Sequence, residues 1–138
     1  MSLSSLKDWS IDHIRAVFEA PTDDLSQQAV AETFSSSLTG HLNGNALDYT
    51  TLCSLVNTMR ASAPKGLLVE WTRAEATPDD ASNRNGALVG EYVIRGICRD
   101  GVEFERHKKV EVRITSTLEE SDSRSIVQLD IVASDLRV

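Results

Sequence analysis

No stretch of this chain is apolar for long enough to span a bilayer, which takes about 20 consecutive apolar residues. Nothing near the first methionine has the apolar run of a cleaved signal peptide. Positive charge is scarce: 14 Lys and Arg stand against 21 Asp and Glu, for a net charge of −7. That balance argues against a nucleic-acid-binding face, which is normally basic, and leaves room for a local positive pocket. The two cysteines, Cys53 and Cys98, lie far apart in apolar contexts, so they make no disulfide framework and no zinc pair. With no Asn-x-Ser/Thr site either, the expected location is cytoplasmic. The three histidines are scattered, which excludes the usual metal spacings. No GxGxxG, GxxxxGK[ST] or GxSxG motif occurs, so no cofactor is expected. What remains is an ordinary globular composition, 41% hydrophobic and 25% charged over 138 residues. That length suits one domain spanning 1–138.

Apolar spacing predicts an amphipathic helix from about Leu3 to Ala20, with Leu6, Trp9, His13, Ile14, Val17 and Phe18 on one face. Pro21 ends it. Thr22-Asp23-Asp24 then caps a short helix to about Ala31. Thr33 to Leu42 alternates like a strand and runs into the turn signal Asn43-Gly44. Asp48 is placed to cap a third helix, Tyr49 to Ala61, striped by Leu52, Leu55, Val56 and Met59. Leu67 to Ala76 reads as a strand with Leu67, Val69 and Trp71 on one side. Thr77 to Gly86 is polar and rich in turn formers, and reads as a mobile loop. Leu118 to Arg124 is an acidic, Ser-rich turn. Ser125 to Ala133 is a last strand with Val127, Leu129, Ile131 and Ala133 on one face.

Between these lies a long hairpin, Ala87 to Cys98 and Val102 to Ile114, turning at Asp100-Gly101. Both turn residues tolerate the positive φ of a type I′ turn. A regular ladder from a two-residue turn sets Ile97 opposite Phe104, Arg95 opposite Arg106, Val93 opposite Lys108 and Glu91 opposite Val110. These residues then share one face. Glu103, Glu105, His107, Lys109, Glu111 and Arg113 occupy the other, solvated face. The apolar face therefore carries Glu91, Arg95, Arg106 and Lys108, and charges buried there need partners, water or a ligand. A lined cavity follows. A one-residue bulge would swap the faces.

Helices followed by antiparallel strands make an α+β fold, with a mostly antiparallel sheet curling around three helices from the N-terminal half. In this order the chain resembles the NTF2-like α+β cone, and within it the SnoaL-like group. The resemblance is carried by the N-terminal helix with its aromatic residues, the strand ending in Asn43-Gly44, the helix opened by Asp48-Tyr49, and the long hairpins closing at Asp135. It implies a cavity for a small molecule, cofactor-free chemistry such as isomerisation, cyclisation or dehydration, and a homodimer. Fold alone does not choose among these.

An enzyme on such a cone needs a general base and donors for a developing oxyanion. Glu91 and His13 are the candidate bases. Arg95, Arg106 and Lys108 are candidate anion partners, and Trp9 and Trp71 candidate walls for an apolar ligand. Against this, the four charges also suit an ion network at the cone mouth, with stems reaching water. His13 also suits a core-edge histidine bonded to backbone. The alternative to an enzyme is a non-catalytic homodimeric module, using Leu88, Tyr92, Ile94 and Cys98 on the outer face of the hairpin.

Overall fold

A computed structural model describes residues 3–116 and 122–138. Helix α1 (Leu6–Glu19) starts at Ser5, whose hydroxyl accepts the Asp8 N–H at 3.1 Å. Helix α2 (Asp23–Thr33) starts at Thr22, which accepts from the Leu25 N–H at 3.2 Å. Each cap satisfies a donor that has no partner inside its helix. Strand β1 (Phe34–Leu42) turns through Asn43 and Gly44, both at positive φ, into β2 (Asn45–Asp48). Asp48 then caps α3 (Tyr49–Ala61) by accepting the Thr51 N–H at 2.8 Å. That bond holds the Asp48 carboxyl below the usual carboxylate range. Strands β3 (Leu68–Pro78), β4 (Gly86–Arg99), β5 (Val102–Ser116) and β6 (Arg124–Arg137) complete the chain.

The six strands form one curved sheet in the order β2-β1-β6-β5-β4-β3, antiparallel throughout except that β1 runs parallel to β6. All three helices pack on its inner face. Leu6, Ile14 and Val17 of α1, Val30 of α2 and Val56 of α3 are buried there against Leu88, Ile94, Ile97, Val110, Ile114 and Ile126. The fold is therefore the α+β arrangement read from the sequence. Strand β2 is an addition, because four residues between a turn and a helix cap carry no periodicity.

The hairpin differs from its regular ladder in one respect. The turn has two residues, with Asp100 at φ 52° and Gly101 at φ 77°, and Arg99–Val102 and Ile97–Phe104 pair as expected. Arg106, however, pairs with Ile94 and not with Arg95. The extra residue is a bulge at Arg95-Gly96, where Gly96 sits at φ 100° and a Cβ would stand 2.5 Å from the Gly66 carbonyl oxygen. Few residues but glycine adopt that backbone, and a bulge moves every later side chain to the opposite face.

From Ile94 back along β4 the faces are thus exchanged. Leu88, Gly90, Tyr92 and Ile94 enter the core, so Leu88, Tyr92 and Ile94 are not available as an outer surface. Glu91 and Arg95 leave the inner face. Strand β5 keeps its expected faces, with Lys108, Val110, Val112 and Ile114 buried. A second register shift, between Arg113 and Ile114, turns Ile126 inward in place of Val127.

The polar segment after β3 is tied down on several sides. The Asp79 N–H donates to the Asn85 carbonyl at 2.8 Å, the Ser116 N–H donates to Asn85 Oδ1 at 3.0 Å, and Arg113 pairs with Asp79. The expected acidic turn falls largely on residues 117–121, outside the described residues. Among the described residues no helix is long and apolar enough to cross a membrane.

Candidate functional site

Alternation along β5 and β6 points Arg106, Lys108, Ile131, Ala133 and Asp135 toward the helices. Near the C-terminal end of β6 the helices do not close on them. A cavity of about 310 Å³ remains, walled by Phe18 of α1, by Leu52, Leu55, Val56 and Met59 of α3, and by Leu42, Ile131 and Ala133 of the sheet. Its size and apolar walls suit a small ligand. Asn43 at its edge is committed to structure. Its side chain takes the Ala133 N–H at 2.8 Å and gives a hydrogen bond to the Ala133 carbonyl at 3.1 Å.

Two basic groups line the cavity. Lys108 is 7% exposed, with Nζ over the rings of Phe18 and Tyr92. Among the described residues its amine has neither a hydrogen-bond acceptor nor a carboxylate in contact. Burial pulls its pKa from the ordinary lysine range to about 7, with the Arg106 charge acting in the same direction and Asp135 opposing. The ring faces return on the order of 2 kcal/mol to the charged form. Removing an ammonium from water costs several kcal/mol, so burial sets the direction. Near neutrality a large share of Lys108 is the free amine, a base and a nucleophile.

Arg106 is engaged at the rim. Its Nε donates to Asp135 Oδ1 at 2.7 Å and its Nη2 to Oδ2 at 3.1 Å, and Arg99 pairs with the same carboxylate. These bonds, Arg106 first, hold the Asp135 carboxyl below its usual range. Two guanidinium groups, one carboxylate and Lys108 leave the cavity mouth basic on an acidic protein.

The other candidates from the sequence lie elsewhere. Glu91 is on the outer sheet face, 3.8 Å from Arg73 Nη1 and 3.8 Å from Lys109 Nζ. Arg95 is on that face too, bonded to Glu70 at 3.2 Å and paired with Glu105. Both displacements follow from the Gly96 bulge. His13 stacks on Trp9 with ring centroids 4.4 Å apart, and its Nδ1 donates to the Trp9 carbonyl at 2.8 Å. Trp9 in turn lies under the Arg124 guanidinium, 5.4 Å from its ring centroid, away from the cavity. Trp71 faces inward and packs against Tyr92, with centroids 4.6 Å apart. Gly90 makes room for it: a Cβ there would stand 2.7 Å from the indole. Arg106 and Lys108 are thus the sequence candidates that this cavity brings together. Asp135 was the omission, although continuing the Leu129, Ile131, Ala133 alternation by one step reaches it.

The sequence matches no family model and no curated protein. Solved structures do match its fold. A hexachlorocyclohexane dehydrochlorinase, LinA-type3 from Novosphingobium barchaimii LL02, superposes with a TM-score of 0.66 at 9% identity, covering 95% of this chain and 89% of that one. An NTF2-like protein of unknown function from Prochlorococcus sp. NATL2A gives 0.66 at 10% identity, covering 96% and 94%. A SnoaL-like family protein from Agrobacterium tumefaciens str. C58 gives 0.59 at 11% identity, covering 94% and 97%. With three helices on a curved mixed sheet, this chain has the NTF2-like α+β cone fold.

Proposed function

We propose that this protein binds a small, mainly apolar molecule in the cone cavity, with an acidic or carbonyl-bearing end turned toward Lys108 and Arg106. The observation that carries the reading is an apolar cavity onto which the largely buried Lys108 opens its amine, with no partner for that amine among the described residues. A buried polar group left without a partner is costly, and a ligand oxygen accepting from Lys108 would relieve that cost. The positive mouth suits an anionic or enolate-like oxygen. In the enzymatic form of the reading, Lys108 is the proton acceptor, because Glu91 and His13 lie away from the cavity, and Arg106 stabilises the oxyanion. Residues 1–138 act as one domain in this reading, without a cofactor. Two free cysteines fit a cytoplasmic setting. The dehydrochlorinase of the same fold supports the enzymatic form by analogy only.

The test is a panel of small carboxylates, ketones and alcohols, followed by methyl chemical shifts of Leu52, Val56, Met59 and Ile131. Saturable changes at those methyls, lost in Ala133→Phe, are the expected result. Binding that leaves these methyls unmoved, or persists unchanged in the filled variant, overturns the reading.

A homodimer is a second reading, now placed on different residues. The outer sheet face exposes Val89 and Val132, 41% and 62% accessible, beside a groove that also takes in Glu91 and Lys109. Exposed aliphatic groups among charges of both signs fit a self-complementary contact. Light scattering at micromolar concentration decides this: a strict monomer removes it, and a dimer disrupted by Val132→Glu supports it.

A further inference from the structure

We infer that Lys108 is a covalent ligand-binding residue, forming an imine with an aldehyde or ketone that enters the cone cavity. The inference rests on the cavity reading above and names its ligand class. Three observations carry it. The amine is buried on the wall of an apolar cavity large enough for a small carbonyl compound. Among the described residues it neither accepts nor donates a hydrogen bond and makes no ion pair, so its lone pair is not engaged by a donor. The ring faces of Phe18 and Tyr92 fix it in place.

A lysine meant only to hold an anion works best when charged, and this environment disfavours the charge. Burial together with the Arg106 charge brings deprotonation to about pH 7. An ordinary lysine, with a pKa near 10.4, keeps only about one amine in a few thousand neutral at that pH. Desolvation in an apolar pocket is one of the ways a lysine is made nucleophilic toward carbonyls.

The step balances without an oxidant or a cofactor. The Nζ lone pair forms a bond to the carbonyl carbon while the C=O π pair moves to oxygen. A proton passes from nitrogen to that oxygen, giving a carbinolamine. Protonation of the hydroxyl by solvent lets water leave with the C–O pair, and the nitrogen lone pair closes the C=N bond. Amine, carbonyl and one proton from solvent become iminium and water. At the iminium nitrogen burial and the Arg106 charge oppose the positive charge, and the Asp135 carboxylate offsets part of that.

The lysine next in sequence supplies the internal control. Lys109 points to solvent with a side chain 74% exposed. The 138-residue chain is treated at pH 7 with hexanal and sodium cyanoborohydride, and the reduced adducts are located by peptide mass mapping. Lys108 is expected to be modified at least about tenfold faster than Lys109. Hexanoate is expected to slow Lys108 alone. Lys108→Arg, which keeps a cation but cannot form an imine, loses the fast phase. Modification of Lys108 no faster than Lys109 overturns the inference. If hexanoate still shifts the cavity methyls in that case, the cavity reading stands and only the imine fails. If it shifts none of them, both fail.

Discussion

Lys108 Nζ stands 4.8 Å from the centroid of the Phe18 ring, joining a charge-capable group of β5 to the apolar face of α1. A hydrophobic side chain would suit that place better than an ammonium, so the protein carries a cost there. The cost has a pH signature. Folded Lys108 releases its proton near pH 7, and an unfolded lysine does so near 10.4. Between these values the unfolded chain binds more protons, so raising the pH favours the folded state. Below pH 7 both states are protonated and the penalty is complete. Lys108→Met is therefore expected to be more stable than the parent by roughly 2 kcal/mol at pH 6. That gap should shrink by up to about 1.4 kcal/mol per pH unit above pH 7, close within about two units and then change sign. Urea unfolding of both proteins at pH 6, 8 and 9.5 checks it, and a gap independent of pH contradicts it.

The Arg106–Asp135 pair should be worth little to stability and more to the properties of Lys108. Both side chains are about a quarter exposed, 25% and 24%, so solvent screens the pair. A double-mutant cycle with Arg106→Ala and Asp135→Ala is expected to give about 1 kcal/mol. Asp135→Asn should also lower the pH at which Lys108 deprotonates, because it removes the carboxylate that favours the ammonium. The onset of the pH-dependent gap against Lys108→Met reads this directly. An onset that stays put would show that Asp135 does not act on the amine.

Gly96 controls which residues of β4 face inward. At φ 100° with a carbonyl where its Cβ would stand, it has no tolerated substitute. Gly96→Ala is expected to cost about 2 kcal/mol or more. If the bulge is lost in preference to strain, the residues of β4 before it exchange faces and Tyr92 leaves the core. Denaturant unfolding gives the first quantity and amide–amide contacts across β4 and β5 give the second. A stability change below about 0.5 kcal/mol, with the register kept, would mean that the bulge does not depend on glycine.

How far the sequence reaches is clearest along this hairpin. Asp100-Gly101 announces its turn because few dipeptides accept two positive φ values in succession. Helix caps at Thr22 and Asp48 are equally legible, since short polar side chains at those positions have a definite backbone partner. The α+β order follows from the change of period from helical spacing to alternation. The bulge is different. Arg95-Gly96 lies inside a run that alternates well enough in either register, and its one local sign is the glycine, which takes the positive φ and leaves room for the Gly66 carbonyl. One extra residue then exchanged Glu91 for Tyr92 on the inner face. Strand β5 has no such interruption before Arg113, so Arg106 and Lys108 were placed by alternation alone. Asp135 lies beyond the expected end of the last strand at Ala133, whereas β6 continues to Arg137.

Because the bulge turns it outward, Glu91 should be silent in the cavity. Its carboxylate sits among Arg73 and Lys109 on a solvated surface, where single ion pairs contribute little. Glu91→Gln is expected to change stability by no more than about 0.5 kcal/mol. It should leave both the hexanal labelling of Lys108 and the cavity methyl shifts as they are. Loss of either signal in this variant would bring Glu91 back into the site.

Arg124 is the side chain whose removal should damage the fold most. It is wholly buried and binds the Ser4 carbonyl at 2.7 Å, the Ser4 hydroxyl at 2.9 Å, the Asn83 carbonyl at 3.1 Å and the Asp122 carboxylate at 2.8 Å. One guanidinium thus joins the segment before α1, the loop after β3 and the start of β6, and lies over the Trp9 ring. Its planar fork serves these directions together, which a lysine ammonium cannot do. Truncation removes these charge-assisted bonds and the packing over the Trp9 ring together and empties a buried site, a change that costs about 3 kcal/mol. Arg124→Ala and Arg124→Lys are both expected to fall in that range, with Lys the smaller loss. The Ser4 and Asn83 carbonyls are 120 and 41 residues away in sequence, so the loss should spread. Hydrogen exchange at the start of α1 and around Asn85 should quicken together. Exchange that quickens only beside residue 124 would show that the guanidinium satisfies local groups and does not link the three segments.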